Sequence, residues 1–330
     1  MKGLLRPNVL IPVIFVAALL AALLGFADVK RIGALIVGFD RVDLLYFFLL
    51  MVAYEAVRGL QWRLLLRALG VRAPLRTQIF TFLGGEIAKS LPIGNYFQNY
   101  LLQQADGTDF GLSSAATTLI IWLEVAVSLA VLLVLGIDGW PWLRPAIVGG
   151  VAAFCLLAWA LYALSRSARL PRWMMEHKMS RGLVEGLRHF RAGAAALLHP
   201  RLLLMVTGLC AVYLVIAGLG LRVITHGLGL ATVTLGQALA VYFFGLASGL
   251  IIPIPVDIGL TEFGGIGALL AIGVNRNAAV GVVLLNRVLS IVAALLIALV
   301  AVAFLRDELR AVLRDRPPRP PWPREHMEQT

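Results

Sequence analysis

Five stretches of this chain, residues 9–27, 115–136, 146–164, 202–222 and 278–305, are nearly free of charge and long enough to cross a bilayer as helices. A helix rising ~1.5 Å per residue needs about 20 apolar residues to span a hydrocarbon core of ~30 Å. A chain of 330 residues with this many such runs cannot fold around one water-soluble core. Composition agrees: 60% of residues are hydrophobic and 14% charged, against roughly 45–50% and 25% in soluble domains. The expected fold class is all-α, a polytopic helical membrane protein. The first run follows Lys2 and Arg6 in the manner of a signal peptide. Further spans follow directly, so it is read as an uncleaved first span. Cys155 and Cys210 both lie inside apolar runs and offer neither a disulfide framework nor a cysteine metal site.

A net charge of +11 would point to nucleic acid in a soluble protein. In a membrane protein the positive-inside rule accounts for both the excess and its placement, so no nucleic-acid partner is expected. Basic residues concentrate in 58–76, in the loop 165–201 and after 305, and are absent from 104–112. If residues 79–103 crossed the membrane once, 17 loop cations would face outward and 9 inward; if they dip in and return, 21 face inward and 5 outward. Charge bias therefore favours a re-entrant hairpin over residues 79–103. Pro92-Ile93-Gly94-Asn95 breaks its middle, since proline removes a donor and glycine tolerates unusual dihedrals. A second broken element, residues 237–274, carries Pro253, Pro255 and Gly259 at its centre and enters from the opposite face, either as a hairpin or as two full helices.

The expected architecture is six ordinary spans (9–27, 44–61, 113–136, 146–164, 202–224 and 278–305) plus two oppositely oriented broken hairpins, together a membrane domain over 1–305. Both termini are expected in the cytoplasm of a bacterial cell, the protein lying in its cytoplasmic (inner) membrane. Residues 165–200 read as an amphipathic linker on an anionic leaflet, with Trp173, Leu183, Leu187 and Phe190 among basic residues. Residues 306–330 read as a disordered, basic, proline-rich tail.

Ionisable groups inside lipid cost at least about 2.5–3.5 kcal/mol each and need a reason. Glu86 and Lys89, three apart on the first half-helix, form either a self-neutralised pair or a site in which Lys89 meets an anionic group. Glu124 lies in mid-span and should face the bundle interior. Asp257 and Glu262 follow the second break, and Asn286 with Arg287 lies inside the last span. Glu262 and Arg287 form a plausible interior pair, and the arginine can alternatively meet phosphate bidentately. Asn95, Gln98 and Asn99 make the first hairpin unusually polar, which irregular segments tolerate where they line a cavity. Glu55, Arg58, Trp62 and Arg63 read as an interfacial anchor at the cytoplasmic end of the second span. Pro92, Gly94, Pro253, Pro255 and Gly259 complete the candidate substrate-binding set, as interrupted segments in corresponding halves point to a midplane transport site. The scattered histidines offer no metal site, no catalytic motif is present, and no cofactor is expected.

Arg58-x-x-x-Trp62-Arg63-x-Leu65-Leu66 through Gly70, Leu91-Pro92-x-Gly94, Phe190-x-x-Gly193 with Leu197 and Pro200, and Pro253-x-Pro255 with Gly259 and Glu262 together resemble the lysylphosphatidylglycerol synthase transmembrane, or flippase-like, family. That family also supplies the membrane half of the multiple peptide resistance factor. Two departures stand out: Asn95 and Gln98 occupy places commonly held by Gly-Glu and Arg, and Pro255-Val-Asp257-Ile-Gly259 replaces a Pro-Gly-Gly run. The resemblance implies movement or handling of a lipid. The leading expectation is a translocase for an anionic or phosphate-bearing lipid, its head screened by Lys89, Arg287 and the Asn95–Asn99 amides. The alternatives are a membrane enzyme of lipid or polyprenyl-linked glycan assembly using Glu124, Glu262 or Asp257 as acid or base, and a non-catalytic partner of a separate synthase or transferase.

Overall fold

A computed structural model of the chain describes residues 37–88, 94–139, 145, 148–152, 155–156, 189–251 and 259–304, and every regular element among them is a helix. The expected spans 9–27 and most of 146–164, the linker up to residue 188 and the tail lie outside the described residues, as do Lys89, Pro92, Pro253, Pro255 and Asp257.

The spine is a pair of helices, α1 (Arg41–Ala68) and α5 (Pro200–Gly227). Asp40 caps α1 by accepting the Val42 N–H at 2.8 Å. At the other end Gly70, with φ of 75°, lets its own N–H reach Arg67 O and the Val71 N–H reach Leu66 O, both at 3.0 Å. This glycine-terminated closure satisfies carbonyls that would otherwise be orphaned. α5 starts with Pro200 in its first turn, where a missing N–H costs nothing. The two helices run antiparallel. The Gln61 amide donates to Val206 O at 2.9 Å near one end, and Asp43 Oδ2 meets His226 Nδ1 at 2.7 Å near the other.

Two pairs of short helices lean on this spine. α2 (Leu75–Ala88) follows the C-terminal end of α1 and is succeeded by a 3-10 turn, Gly94–Tyr96, and α3 (Phe97–Asp106). α6 (Leu235–Ile251) and α7 (Leu260–Ala271) follow the C-terminal end of α5. Because α1 and α5 are antiparallel, the two pairs leave from opposite ends of the spine. With 14, 10, 17 and 12 residues, these four helices fall short of the roughly 20 needed to cross a bilayer singly. The first pair is longer at both ends than the expected 79–103, and the second starts two residues before, and ends three before, the expected 237–274. Glycine lets the arms approach. A Cβ on Gly85 would stand 2.6 Å from Gln98 Cβ, and one on Gly264 would stand 2.7 Å from Ser248 Cβ.

α4 (Phe110–Gly139) and α8 (Arg276–Phe304) complete the bundle. α4, α5 and α8 are long and apolar enough to span a membrane, and only 39%, 33% and 28% of their most apolar windows are buried inside the protein. The remaining apolar surface needs lipid. α1, which contains the expected span 44–61, has the length, at 28 residues, but carries charge along much of it.

The buried apolar residues form two clusters rather than one. The larger joins Phe47 and Met51 of α1 to Leu129, Tyr213, Phe243, Ile266 and Val280. The smaller joins Trp62, Leu65 and Leu66 to Phe82, Leu102, Ala116, Leu197 and Ala298. α1, α4, α5 and α8 contribute to both, whereas α2–α3 contribute only to the smaller and α6–α7 only to the larger. Of the expected linker 165–200, only residues from 189 onward are described. Residues 189–197 are helical, Leu197 is buried, Phe190 packs against the smaller cluster, and Gly193 abuts α4 at Leu112 and Ala115. The apolar face of this turn is covered by protein.

Candidate site between the two helical pairs

Against the larger apolar cluster, whose Met51, Leu214, Leu221, Val241 and Val283 line it, lies a cavity of about 230 Å³, reached by both helical pairs. α1 supplies Met51, Tyr54, Glu55 and Arg58 to its wall, a stripe at helical spacing i, i+3, i+4, i+7. α8 supplies Val283, Asn286, Arg287 and Ser290 on the same rule. Glu86 and Asn95 come from the tip of the first pair, Thr261 and Glu262 from the tip of the second, and Glu124 from α4.

Arg58 is the centre of this wall and is only 6% exposed. Its Nη1 donates to both oxygens of Glu86 at 2.9 Å, and its Nη2 stands 3.2 Å from Glu124 Oε1. The guanidinium carbon lies 5.9 Å from the Tyr54 ring centroid and 5.7 Å from that of Tyr213, within cation–π range. Those rings meet edge to face at 5.4 Å, and the Tyr213 hydroxyl donates to Glu124 Oε1 at 3.0 Å. A guanidinium this deep is tolerable only because two carboxylates and two aromatic faces replace its water. Arg58 Nε and Glu55 Oε2 are buried and have no hydrogen-bond partner among the described residues.

The interfacial-anchor reading of Arg58 and Trp62 is therefore corrected. α1 continues ten residues beyond Arg58 to Ala68, so Arg58 is interior to the helix rather than at its end. Trp62, 1% exposed, fills the smaller apolar cluster rather than a lipid interface. The missed signal was the stripe itself: four residues at one helical period, two of them charged, mark a face turned inward. Glu86 carries an ion pair as expected of it, but the partner seen is Arg58 on another helix; Lys89 lies outside the described residues.

The second ion pair was legible. Arg287 Nε lies 3.6 Å from Glu262 Oε1, and Glu262 Oε2 accepts the Gly259 N–H at 2.6 Å at the start of α7. This carboxylate caps its own helix, where the aligned peptide dipoles favour negative charge. Gly259 occupies φ 110°, a conformation that side chains resist, which places its N–H over Glu262. The Arg287 side chain remains 29% exposed and is the looser of the cavity's two cations.

Other candidates divide. Asn95 and Asn286 line the cavity; Gln98 and Asn99 do not. Gln98 Nε2 and Asn99 Nδ2 both donate to Thr117 Oγ1, at 3.0 and 2.9 Å, and the Thr117 hydroxyl faces Asn99 Oδ1 at 3.1 Å. These amides pin α3 to α4. Gly94 is buried in the 3-10 turn. Tyr54, Glu55, Arg58 and Tyr213 were not candidates from sequence. Among the described residues no cluster of three or more histidine, cysteine, aspartate or glutamate side chains is placed to hold a metal.

The family described as lysylphosphatidylglycerol synthase TM region matches residues 9–314, nearly the whole chain. The chain belongs to that family. No match was found among the curated proteins. As a member of the lysylphosphatidylglycerol synthase TM-region family, the chain is a membrane protein of lipid metabolism or transport, and its long apolar helices agree with that placement. Of the motif positions that resemble the family, Arg58 and Glu262 are brought to one cavity, while Trp62, Leu65 and Leu66 form the apolar block beside it.

Proposed function

We propose that the protein moves a phospholipid between leaflets of a bacterial cytoplasmic membrane, the polar head passing through the cavity while the acyl chains stay in lipid. The observation that carries this reading is the meeting of two helical pairs, launched from opposite ends of the α1–α5 spine, around two ion pairs in one cavity. In this reading both pairs are re-entrant, six further segments span the bilayer, and both termini are cytoplasmic. Short interrupted helices meeting at mid-depth recur in alternating-access transporters.

Arg287, partly exposed and held by a 3.6 Å contact, is the cation free to meet a phosphate. Arg58 is already committed to Glu86 and Glu124 and acts as the strut that keeps the site open. Among the described lining residues four carboxylates (Glu55, Glu86, Glu124 and Glu262) face two guanidiniums, and Glu55 Oε2 lacks a donor. The head best matched to this wall carries hydroxyl or amine donors beside its phosphate, as the lipid named in the family's description does. This refines the expectation of a simply anionic head. Glu124 Oε1 and both oxygens of Glu262 are engaged by Arg58, Tyr213, Gly259 and Arg287, which favours translocation over acid–base chemistry by these groups.

The test uses purified protein in liposomes holding a head-labelled fluorescent phospholipid in both leaflets, with no donor substrate. An impermeant quencher should reach nearly all of the label, against only the outer-leaflet share in empty liposomes. Arg287→Ala should slow the inner-leaflet phase by about tenfold or more, the loss of one charge-assisted contact. Wild-type protein that leaves the inner leaflet protected would sink the translocase reading.

A further inference from the structure

The segment joining α1 to α2 encloses a second concavity, apart from the central cavity, of about 460 Å³, lined by Arg63, Arg67, Arg72, Gly70 and Gln78 among others. Arg67 and Arg72 are exposed and Arg63 is half-buried, and none of the three has an ion-pair partner among the described residues. Three arginines lining one hollow with no carboxylate among its lining residues favour an anion there. The positive-inside bias accounts for basic residues at this end of α1, but not for their enclosure of a hollow.

The loop is built rather than loose. Gly70 closes α1, nothing lies within 4 Å of a Cβ placed on it, and Gln78 Nε2 donates to Ala73 O at 2.7 Å, tying the loop to α2. The first hydrogen bond of α2 runs from the Gln78 N–H to Pro74 O, so the amides of Leu75, Arg76 and Thr77 have no intrahelical acceptor and carry the positive end of the helix dipole. Gln78 itself is 6% exposed. With its amide nitrogen committed, its Oε1 is buried and unpartnered among the described residues.

Three arginines and the first residue of α2, Leu75, on one wall define a ligand that is anionic. We propose that this hollow is a binding site for a phosphate-type oxyanion, either the head of an anionic phospholipid or free phosphate, and that its occupancy anchors the foot of the first helical pair. It does not depend on the central cavity being a transport site.

The experiment measures thermal unfolding of the full chain in a zwitterionic detergent, titrated with inorganic phosphate, with a short-chain phosphatidylglycerol, and with sodium chloride at matched ionic strength. Stabilisation by both phosphate and the lipid assigns the site to the oxyanion itself; stabilisation by the lipid alone assigns it to a headgroup held with its glycerol. Stabilisation by neither beyond the chloride control overturns the proposal. Arg67→Gln and Arg72→Gln should each weaken the half-saturating concentration by about tenfold. Arg76→Gln, on the same segment but outside the hollow, should leave it unchanged. A loss in Arg76→Gln equal to that in Arg72→Gln would mean diffuse surface charge and would also overturn the proposal.

Discussion

Arg58 Nη1 stands 2.9 Å from each carboxylate oxygen of Glu86, joining the middle of α1 to the tip of the first helical pair across 28 residues of sequence. Removing one partner of a buried pair leaves an uncompensated charge and costs about 3–5 kcal/mol. Arg58→Leu should therefore lower stability by that order, read as a loss of folded protein on heating in detergent. Arg58→Leu combined with Glu86→Gln and Glu124→Gln should recover much of it. Arg58→Lys should not, because one ammonium cannot reach Glu86 and Glu124 together with the planar fork that guanidinium provides.

The close arms of the helical pairs make a second prediction. Gly85→Ala and Gly264→Ala place a methyl within 3 Å of Gln98 Cβ and of Ser248, and overpacking of this kind costs about 1–3 kcal/mol. Gly267→Ala, on the same helix as Gly264, meets nothing within 4 Å. It should be neutral or slightly stabilising through reduced backbone entropy in the unfolded chain. Melting curves of the three variants separate close approach from a general intolerance of alanine.

Thr117 holds two amides of α3 with one hydroxyl. Thr117→Val leaves the buried Gln98 and Asn99 donors without that acceptor, at about 1–3 kcal/mol. Thr117→Ser should retain most of the stability. Because neither amide lines the cavity, the transport rate of folded Thr117→Ser protein should match wild type, which flux measured beside a melting curve would check.

The opposed launch of the two pairs predicts labelling. With Cys155 and Cys210 replaced by alanine, a single cysteine at residue 108, at the foot of the first pair, and one at residue 232, ahead of the second, should react with an impermeant thiol reagent from opposite sides of the membrane. Equal reaction from one side would rule out the opposed geometry.

Much of the architecture was readable because lipid imposes length and polarity rules that a sequence displays openly. The spans around α4, α5 and α8 follow from those rules, as do the short helices flanking residues 89–93 and 252–258. The Glu262–Arg287 pair was readable for the same reason: two charges in apolar surroundings need each other. Arg58 was not, because its position near a run of other arginines made it look like the end of a span, when α1 continues well beyond it. Gln98 and Asn99 misled in the opposite sense. Polar groups in a membrane segment signal that partners exist, but the sequence does not say whether the partner is a cavity or, as here, Thr117 on the next helix.

The division of the apolar interior into two blocks has a mechanical consequence. Each short pair is rooted in one block alone, whereas α1, α4, α5 and α8 pass through both like axles. Tilting one pair would disturb the grip of a single block and leave its counterpart's seat untouched, the asymmetry that the proposed transport calls for.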